Sequence, residues 1–202
     1  MEQTVSLESP NLNIYSLVMA AGQASRFHGA KMLAKYRGES LVRRSLQLGI
    51  RVTSRNTVLI VGGEWQRVIK ECESIAPFIV RNEDYESGMA SSIACGTRAI
   101  RPVADAAMIL LADQPLITAD HLLSMEQAWR ASPSSIIATE FDQIAGPPII
   151  FPATCFAALS ALSGDAGARV VMENNSDNVI KIPFADAAID IDTPEDLQRL
   201  HV

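Results

Sequence analysis

Short apolar runs alternate with segments of helical periodicity along the first two thirds of the chain. The apolar runs predict strands at residues 14–20, 57–61, 78–81, 106–112 and 135–139. Between them, apolar residues recur at three- and four-residue spacing and predict helices at residues 40–52, 65–75, 89–100 and 118–131. Short buried strands that alternate with helices are typical of a mainly parallel sheet covered on both faces.

The pattern changes from Gly146 onward. Prolines flank the apolar residues 149–151 and predict an edge strand there, because proline cannot donate a hydrogen bond to a neighbouring strand. Residues 179–182 and 187–191 predict two further short strands, and Thr193-Pro194 predicts the start of a last helix. We therefore expect one α/β domain over residues 1–202, a three-layer αβα architecture with a Rossmann-like sheet, with residues 1–13 as a flexible arm.

Composition narrows the classes of partner. The 202 residues include 23 acidic and 17 basic side chains, a net charge of −6, which disfavours non-specific nucleic-acid binding. No apolar run approaches the ~18 residues that cross a bilayer, and the first residues lack the pattern of a signal peptide. We expect a cytoplasmic protein without a nucleic-acid or membrane partner.

The three cysteines are too far apart for a zinc pattern and are expected to be buried apolar side chains.

The loop after the first predicted strand has the composition of a phosphate site. Ala20, Ala21 and Gly22 let the backbone approach a ligand closely, so that its N–H groups can meet phosphate oxygens. Arg26 and Lys31 add two positive charges that can neutralise a triphosphate. The segment matches neither the Walker A loop nor GxGxxG. From the local spacing alone, a glycine turn with solvated basic residues remains an alternative.

Two acidic strand ends are candidate metal ligands. Asp113 follows a buried apolar strand, where an unpaired carboxylate is costly unless something binds it. Mg²⁺ held by one or two carboxylates plus substrate phosphates is the usual solution. Asp190 and Asp192 alternate, so they would share a face if the strand continues that far. Asp192 could instead cap the last helix.

Other polar and aromatic residues are expected to have ordinary structural roles. His121, just inside a predicted helix, is expected at the surface, and Trp65 and Trp129 are expected in packing. Asp165 and Arg169, four residues apart, either form a local ion pair at a helix start or contact a ligand.

Six motifs in order resemble the MobA-like nucleotidyltransferases, and more closely their molybdenum cofactor cytidylyltransferase branch. The similarity extends from Leu17 to Leu200. The motifs are Ala20-Ala21-Gly22 with Arg26, Phe27 and Lys31; Asn82-x-x-Tyr85-x-x-Gly88-Met89-x-x-Ser92; Asp113-Gln114-Pro115-Leu116; Gly146-x-Pro148-x-x-Phe151; Gly164-Asp165-x-Gly167-Ala168-Arg169; and Asp190-Ile191-Asp192-Thr193-Pro194. His28 departs from the pattern, since the family usually has glycine there.

This resemblance implies a reaction and a set of site residues. It implies transfer of CMP, or another NMP, from a nucleoside triphosphate to the phosphate of a molybdopterin-type acceptor, with Mg²⁺ as cofactor and release of pyrophosphate. The partners would be CTP or GTP, the phosphorylated pterin and a molybdoenzyme client. The paired alanines at 20 and 21 resemble the cytidylyl branch. The implied catalytic residues are Arg26, Lys31 and Asp113; the nucleotide site is Ala20, Ala21, Gly22, Arg26, Lys31, Asn82, Gly88, Ser91 and Ser92; the acceptor site is Gly146, Pro148, Asp165 and Arg169; the metal ligands are Asp113 with Asp192 or Asp190.

Two alternatives remain open at this point. A sugar phosphate, a polyol phosphate or a purine-pathway compound could be the acceptor, because the first loop and Asp113 would serve any such reaction. A non-catalytic protein that binds a nucleotide or cofactor is the second alternative, with His28 as the sign of a degenerate loop.

Overall fold

A computed structural model describes residues 12–22, 27, 31–164 and 167–200, and the following account concerns these residues. The strands are β1 Ile14–Ala20, β2 Lys35–Tyr36, β3 Glu39–Ser40, β4 Thr57–Val61, β5 Phe78–Arg81, β6 Ala106–Leu111, β7 Ile136–Phe141, β8 Ile144–Pro152 and β9 Val179–Pro183. The α-helices are α1 Leu41–Thr53, α2 Trp65–Cys72, α3 Met89–Ile100, α4 Ala119–Ala131, α5 Phe156–Ser160, α6 Arg169–Glu173 and α7 Pro194–Arg199. The predicted alternation of strands and helices is confirmed, with element ends shifted by up to three residues.

A seven-stranded sheet in the order β5-β4-β1-β6-β8-β7-β9 forms the middle layer. β1 pairs in parallel with β4 and β6, β4 with β5, and β7 with β9. Only β8 runs against its neighbours β6 and β7. β2 and β3 form a separate two-stranded hairpin that the sequence pattern did not predict. The predicted mainly parallel, Rossmann-like sheet is therefore confirmed.

Helices cover both faces of the sheet because successive side chains of a strand point to opposite sides. Val18 packs in a core cluster with residues of α1, α2 and α4, whereas Leu17 packs in a second cluster with residues of α3, α5 and α6. Trp129 of α4 is fully buried, as expected of a packing residue. Both faces of the central strands are thus covered, which explains why β1, β4 and β6 read as nearly continuous apolar runs.

The prediction of an edge strand at residues 149–151 is wrong. β8 lies in the interior of the sheet, between β6 and β7. The pairing with β7 jumps from Ala138–Ile149 to Thr139–Gly146, so Pro147 and Pro148 fall in an irregular stretch of the ladder. Because the bulge removes the need for their N–H groups, the prolines do not require an edge position.

The last predicted strand, at residues 187–191, is also wrong. The chain there forms a 3₁₀ turn, Ala185–Ala188, followed by an extended segment outside the strands. Asp190 and Asp192 therefore do not share a strand face. The last helix begins where predicted, and Thr193 caps it: its hydroxyl accepts the N–H of Asp196, whose carboxylate accepts the Thr193 N–H. Since Thr193 is the cap, Asp192 is available for another partner.

The topology positions the site because parallel strands present their carboxyl ends at one edge of the sheet. Register places Ala20 beside Val61, Met19 beside Leu111 and Val61 beside Arg81. The loops that follow β1, β4, β5 and β6 therefore meet at this edge, and they carry Gly22, Gly62, Asn82 and Asp113.

Candidate active site

A cavity of about 280 Å³ opens at the carboxyl edge of the sheet. Its walls come from the end and loop of β1, the turn that carries Lys31, the approach to α3 and the end of β6. They comprise Met19, Ala21, Gly22, Lys31, Met32, Tyr85, Glu86, Gly88, Met89, Ser92 and Asp113. Residues from four separate parts of the sequence are thus brought to one concave surface, as in a typical ligand site.

The loop after β1 forms one wall of this cavity. Ala20 and Ala21 are buried, while Gly22 is exposed beside the cavity. The Ala21 carbonyl accepts the N–H of Gly63, which ties this loop to the loop after β4. Arg26 and His28 lie outside the described residues, so the predicted role of Arg26 stays a prediction.

Lys31 joins the two predicted acidic positions at the base of the cavity. Its Nζ lies 2.7 Å from Oδ2 of Asp113 and 2.8 Å from Oδ1 of Asp192. The side chain of Lys31 is only 11% exposed and that of Asp113 18% exposed, whereas that of Asp192 is 52% exposed. Three residues separated by up to 161 positions therefore form one charged group between the end of β6 and the segment before α7.

The neighbouring carboxylates keep the side chain of Lys31 protonated. Burial lowers the pKa of Lys31, but the charges and hydrogen bonds of Asp113 and Asp192 outweigh that effect, so its pKa is raised and the ammonium stays protonated. Burial also raises the pKa of Asp190, and the nearby charges of Asp192 and Asp113 add to this, only partly offset by Lys31. Three carboxylates around one lysine leave this corner with an excess of negative charge, which favours the binding of a divalent cation.

A backbone hydrogen bond joins the segment that carries Asp113 to the segment that carries Asp190 and Asp192. The Ile191 N–H donates to the Asp113 carbonyl at 2.9 Å. The neighbouring Gln114 is buried, and its Nε2 donates to the carbonyls of Ala187 at 2.9 Å and Pro147 at 3.3 Å. Gln114 therefore connects the end of β6 with the segment before α7 and with β8. The motif that includes Gln114 did not indicate this connection.

Asn82 supports the cavity from behind. Its Nδ2 donates to the hydroxyls of Ser91, at 2.8 Å, and Ser92, at 3.0 Å, and its Oδ1 accepts the N–H of Asp84. Asn82 is 3% exposed. Of the predicted nucleotide residues in this region, Gly88 and Ser92 line the cavity, whereas Asn82 and Ser91 fix the first turn of α3 to the end of β5.

The start of α3 faces the cavity. Gly88, the residue before the helix, has φ of 105°, a conformation that side chains rarely adopt. The first N–H groups of a 12-residue helix carry partial positive charge, so they can meet phosphate oxygens. Together with Lys31, this wall suits a polyanion.

Tyr85 forms part of the wall of the first cavity, a role that its place in the motif did not indicate. A Cβ added to Gly62 would lie 2.4 Å from Tyr85 Cβ and 2.8 Å from the Ala21 carbonyl oxygen. Gly62 therefore permits the close approach of the loops after β1, β4 and β5. The signal that could have indicated this was the Gly62-Gly63 pair at the end of a buried strand.

A second, mainly apolar cavity of about 370 Å³ lies next to the first and shares Met89 with it. Its walls are Met89, Ile93, Ile109, Leu111, Phe141, Ile144, Ala145, Gly146, Pro147, Ile149, Gly167, Ala168, Arg169 and Met172. Of the predicted acceptor residues, Gly146 and Arg169 lie here, and among the described residues of this wall Arg169 is the charged one. Pro147 rather than Pro148 contributes to the lining, because the Pro148 carbonyl accepts the Thr139 hydroxyl inside the fold. Asp165 lies outside the described residues, and Arg169 pairs with Glu173 at 2.7 Å.

The donor set fits a hard divalent cation. Asp113 and Asp192 each present a carboxylate oxygen to the same cation position, and carboxylate oxygens are the ligands that Mg²⁺ and Mn²⁺ prefer. The described residues contain no cluster of three or more protein ligands arranged to hold a metal. A cation at this position would therefore take its remaining ligands from substrate phosphates and water, as is usual for Mg²⁺.

Several expectations outside this site are also decided by the fold. The prediction that His121 lies at the surface is wrong, since it is 5% exposed. Cys72 and Cys155 are buried as expected, and Cys95 is half-buried.

None of the helices in the described parts of the chain has the length and apolar character needed to traverse a bilayer.

Comparison with known proteins gives consistent matches over nearly the whole chain. Residues 16–179 match the model of the MobA-like NTP transferase domain. The purine catabolism protein PucB of Bacillus subtilis (strain 168) is 32% identical over 206 residues, which cover 94% of this chain and 96% of that protein. The nicotine blue oxidoreductase of Paenarthrobacter nicotinovorans is 30% identical over 197 residues, 93% of this chain and 96% of that protein. Among solved structures, Rv0371c of Mycobacterium tuberculosis H37Rv superimposes with a TM-score of 0.82 at 25% identity, covering 94% of this chain and 97% of that one.

Proposed function

The chain belongs to the MobA-like NTP transferase family, and from this membership we propose that it transfers CMP from CTP to the terminal phosphate of a molybdopterin-type acceptor. Nucleotidyl transfer is the activity of the family. The choice of acceptor and of CTP is our proposal. The observation that supports the transfer reaction itself is the position of Lys31, within 2.8 Å of both Asp113 and Asp192 beside a cavity that borders a second, apolar cavity.

We assign the two adjacent cavities to the two substrates of such a transfer. The triphosphate would lie in the cavity bounded by Gly22, Lys31 and the start of α3, where backbone N–H groups and the ammonium can neutralise its charge. The flat ring system of a pterin would lie in the apolar cavity, with Arg169 near its anionic end. Because Met89 belongs to both cavities, the two substrates would meet beside it.

The reaction needs positioning more than acid–base chemistry. A terminal phosphate oxygen of the acceptor forms a bond to the α-phosphorus of CTP, and the bond to the bridging oxygen of pyrophosphate breaks. A phosphate monoester is already anionic near neutral pH, since its second pKa is about 6, so no residue has to remove a proton. The chain's own contribution is to hold both phosphates in line and to balance their charge through Lys31, the N–H groups of α3 and Arg169.

A divalent cation, Mg²⁺ in our proposal, would be held by Asp113 and Asp192. When bound, such a cation neutralises phosphate charge and orients the α-phosphate. Asp190 lies near this position, since the charges of Asp192 and Asp113 add to burial in raising its pKa, and it remains the alternative second ligand.

The preference for CTP rests on the paired alanines. Ala20 and Ala21 resemble the cytidylyl branch of the family, whereas a second glycine is more frequent in the guanylyl branch. Both alanines are buried behind the exposed Gly22, so their effect on the base would come through the shape of the loop.

Product analysis tests the proposal directly. The protein is incubated with molybdopterin cofactor, Mg²⁺ and CTP, GTP, ATP or UTP in parallel, and the products are identified by mass together with released pyrophosphate. We expect a cytidylylated cofactor and one equivalent of pyrophosphate. The Asp113→Asn variant is the control, since it keeps the size of the side chain but removes its charge.

The same assay separates the alternatives. Sugar phosphates and polyol phosphates are tested as acceptors in the same reaction, and turnover with one of them but not with the cofactor would replace the pterin. Tight CTP binding without pyrophosphate release for any acceptor would indicate a non-catalytic binding protein. One relative is named an oxidoreductase; oxidation of a reduced nicotinamide cofactor, without nucleotide transfer, would reject the proposal in favour of redox chemistry.

A further inference from the structure

The Lys31 ammonium lies where a cation between the two acidic residues would lie. It donates to Asp113 at 2.7 Å and to Asp192 at 2.8 Å. Both contacts are short, charge-assisted hydrogen bonds, which are stronger than neutral ones. The side chain is almost entirely buried while it makes them. The same two carboxylates therefore satisfy the protein's own cation before any ligand is bound.

We propose that the Lys31 ammonium occupies the place of the divalent cation when no ligand is bound. When metal and nucleotide bind together, the ammonium moves from Asp113 and Asp192 to the triphosphate. The inference rests on the proposed function, because it assumes that a metal–triphosphate complex is the ligand of this cavity. It adds a role for Lys31 beyond neutralising phosphate charge: it makes metal binding dependent on the nucleotide.

Electrostatics requires the exchange. An ammonium and a divalent cation that share two carboxylates would stand a few ångströms apart, where like charges repel strongly in a partly buried site. The metal alone must therefore displace Lys31 and leave that ammonium without its two partners. A triphosphate removes this cost, because it offers Lys31 new anionic partners and binds the metal as well.

The geometry allows the movement. Lys31 lines the nucleotide cavity, in which Gly22 and the start of α3 form other walls. Four methylene groups let its ammonium swing without a change of the backbone, which a shorter or planar cation could not do as easily. By linkage, if the nucleotide raises the affinity for the metal, the metal raises the affinity for the nucleotide by the same factor.

Direct Mn²⁺ binding, followed by the loss of the free-ion signal in electron paramagnetic resonance, tests the proposal without turnover. We expect Lys31→Met, which keeps the apolar stem, to bind Mn²⁺ at least tenfold more tightly than the unmodified protein when no nucleotide is present. Lys35→Met is the matched control, since Lys35 is an exposed lysine four residues further along, and it should leave the affinity unchanged. Circular dichroism and thermal unfolding verify that each variant is folded, and Lys31→Gln serves if Lys31→Met is not.

A double variant locates the effect. In Lys31→Met/Asp113→Asn the gain in Mn²⁺ affinity should disappear, because the released carboxylate is gone. In the unmodified protein a CTP analogue with a non-hydrolysable α–β bridge should raise Mn²⁺ affinity by a larger factor than in Lys31→Met.

Equal or weaker Mn²⁺ binding by Lys31→Met would overturn the proposal, as would undetectable binding by both proteins or a gain that persists in the double variant. These outcomes are independent of the product assay. This role of Lys31 can hold in a protein that uses another acceptor, and it can fail in one that cytidylylates the pterin.

Discussion

His121 makes the stability of the fold depend on pH in a way that can be calculated. Its Nε2 lies 2.9 Å from the Thr139 hydroxyl oxygen, and the Thr139 hydroxyl donates to the Pro148 carbonyl at 2.8 Å. Nε2 is therefore the donor, and the ring is neutral with its proton on Nε2. The ring also stacks on Phe184 at 4.4 Å. Burial lowers the pKa of His121 to about 4.

The sign follows from the proton uptake of the two states. In the unfolded chain His121 has a pKa of about 6.5, so between pH 6.5 and 4 the unfolded state binds a proton that the folded state does not. The stabilisation is complete above pH 6.5 and is lost as the pH falls toward 4. Between pH 7.5 and 5.0 this one group should lower the free energy of unfolding by about 2 kcal/mol.

Urea unfolding at pH 7.5 and 5.0, followed by circular dichroism, measures the effect in the unmodified protein and in His121→Gln. Glutamine can still donate to Thr139 but does not titrate, so we expect its loss of stability between the two pH values to be smaller by about 2 kcal/mol. Carboxylates titrate equally in both proteins and cancel. An identical loss in both proteins would show that His121 is not held neutral by burial.

Three further substitutions, one of them with Gly63→Ala as its matched control, test the site. Asp113→Ala should abolish nucleotidyl transfer while leaving the circular dichroism spectrum unchanged, because Asp113 lies at the end of a strand rather than in the core; robust turnover with Mg²⁺ would remove it from the site. Gly62→Ala should raise the KM for the nucleotide severalfold, because the added methyl group would meet Tyr85 Cβ at 2.4 Å, whereas the neighbouring Gly63→Ala meets Tyr85 only at 3.3 Å and should be milder. Gln114→Met removes the hydrogen bonds to Ala187 and Pro147 and should lower kcat with little effect on nucleotide KM; an unchanged kcat would show that this connection is dispensable.

The parts of the fold that follow local rules could be predicted from the chain alone. Apolar runs and helical periodicity identified β1, β4, β6 and the helices between them, because burial on both faces leaves a nearly continuous apolar pattern in a strand. The apolar run at residues 78–80 also identified β5, although this strand lies at the edge of the sheet with Phe78 and Ile79 exposed. Thr118 and Thr193-Pro194 marked the starts of α4 and α7, since capping depends on neighbouring residues only. Once the sheet was expected to be parallel, the joint position of the loop after β1 and of Asp113 followed from the shared direction of the strands.

Features that depend on residues distant in sequence required the tertiary structure. The prolines of β8 suggested an edge, but a bulge opposite β7 lets them lie inside the sheet, and a bulge is visible only when both strands are paired. The sequence predicted His121 at the surface. Its burial depends on Thr139 and Phe184, which lie in other segments and are not visible in the local pattern.

The sequence by itself indicated the family, the layered architecture and Lys31, Asp113 and Asp192 as candidate charged residues of the site, because apolar patterning and short motifs are local properties of the chain. Only the tertiary structure decided that Lys31 joins Asp113 to Asp192, that Gln114 holds their segments together and that a separate apolar cavity adjoins the cavity lined by Lys31 and Asp113. The physical reason is that an ion pair or a cavity wall depends on distances of a few ångströms between side chains, and those distances are set by packing across the whole sheet rather than by neighbouring residues.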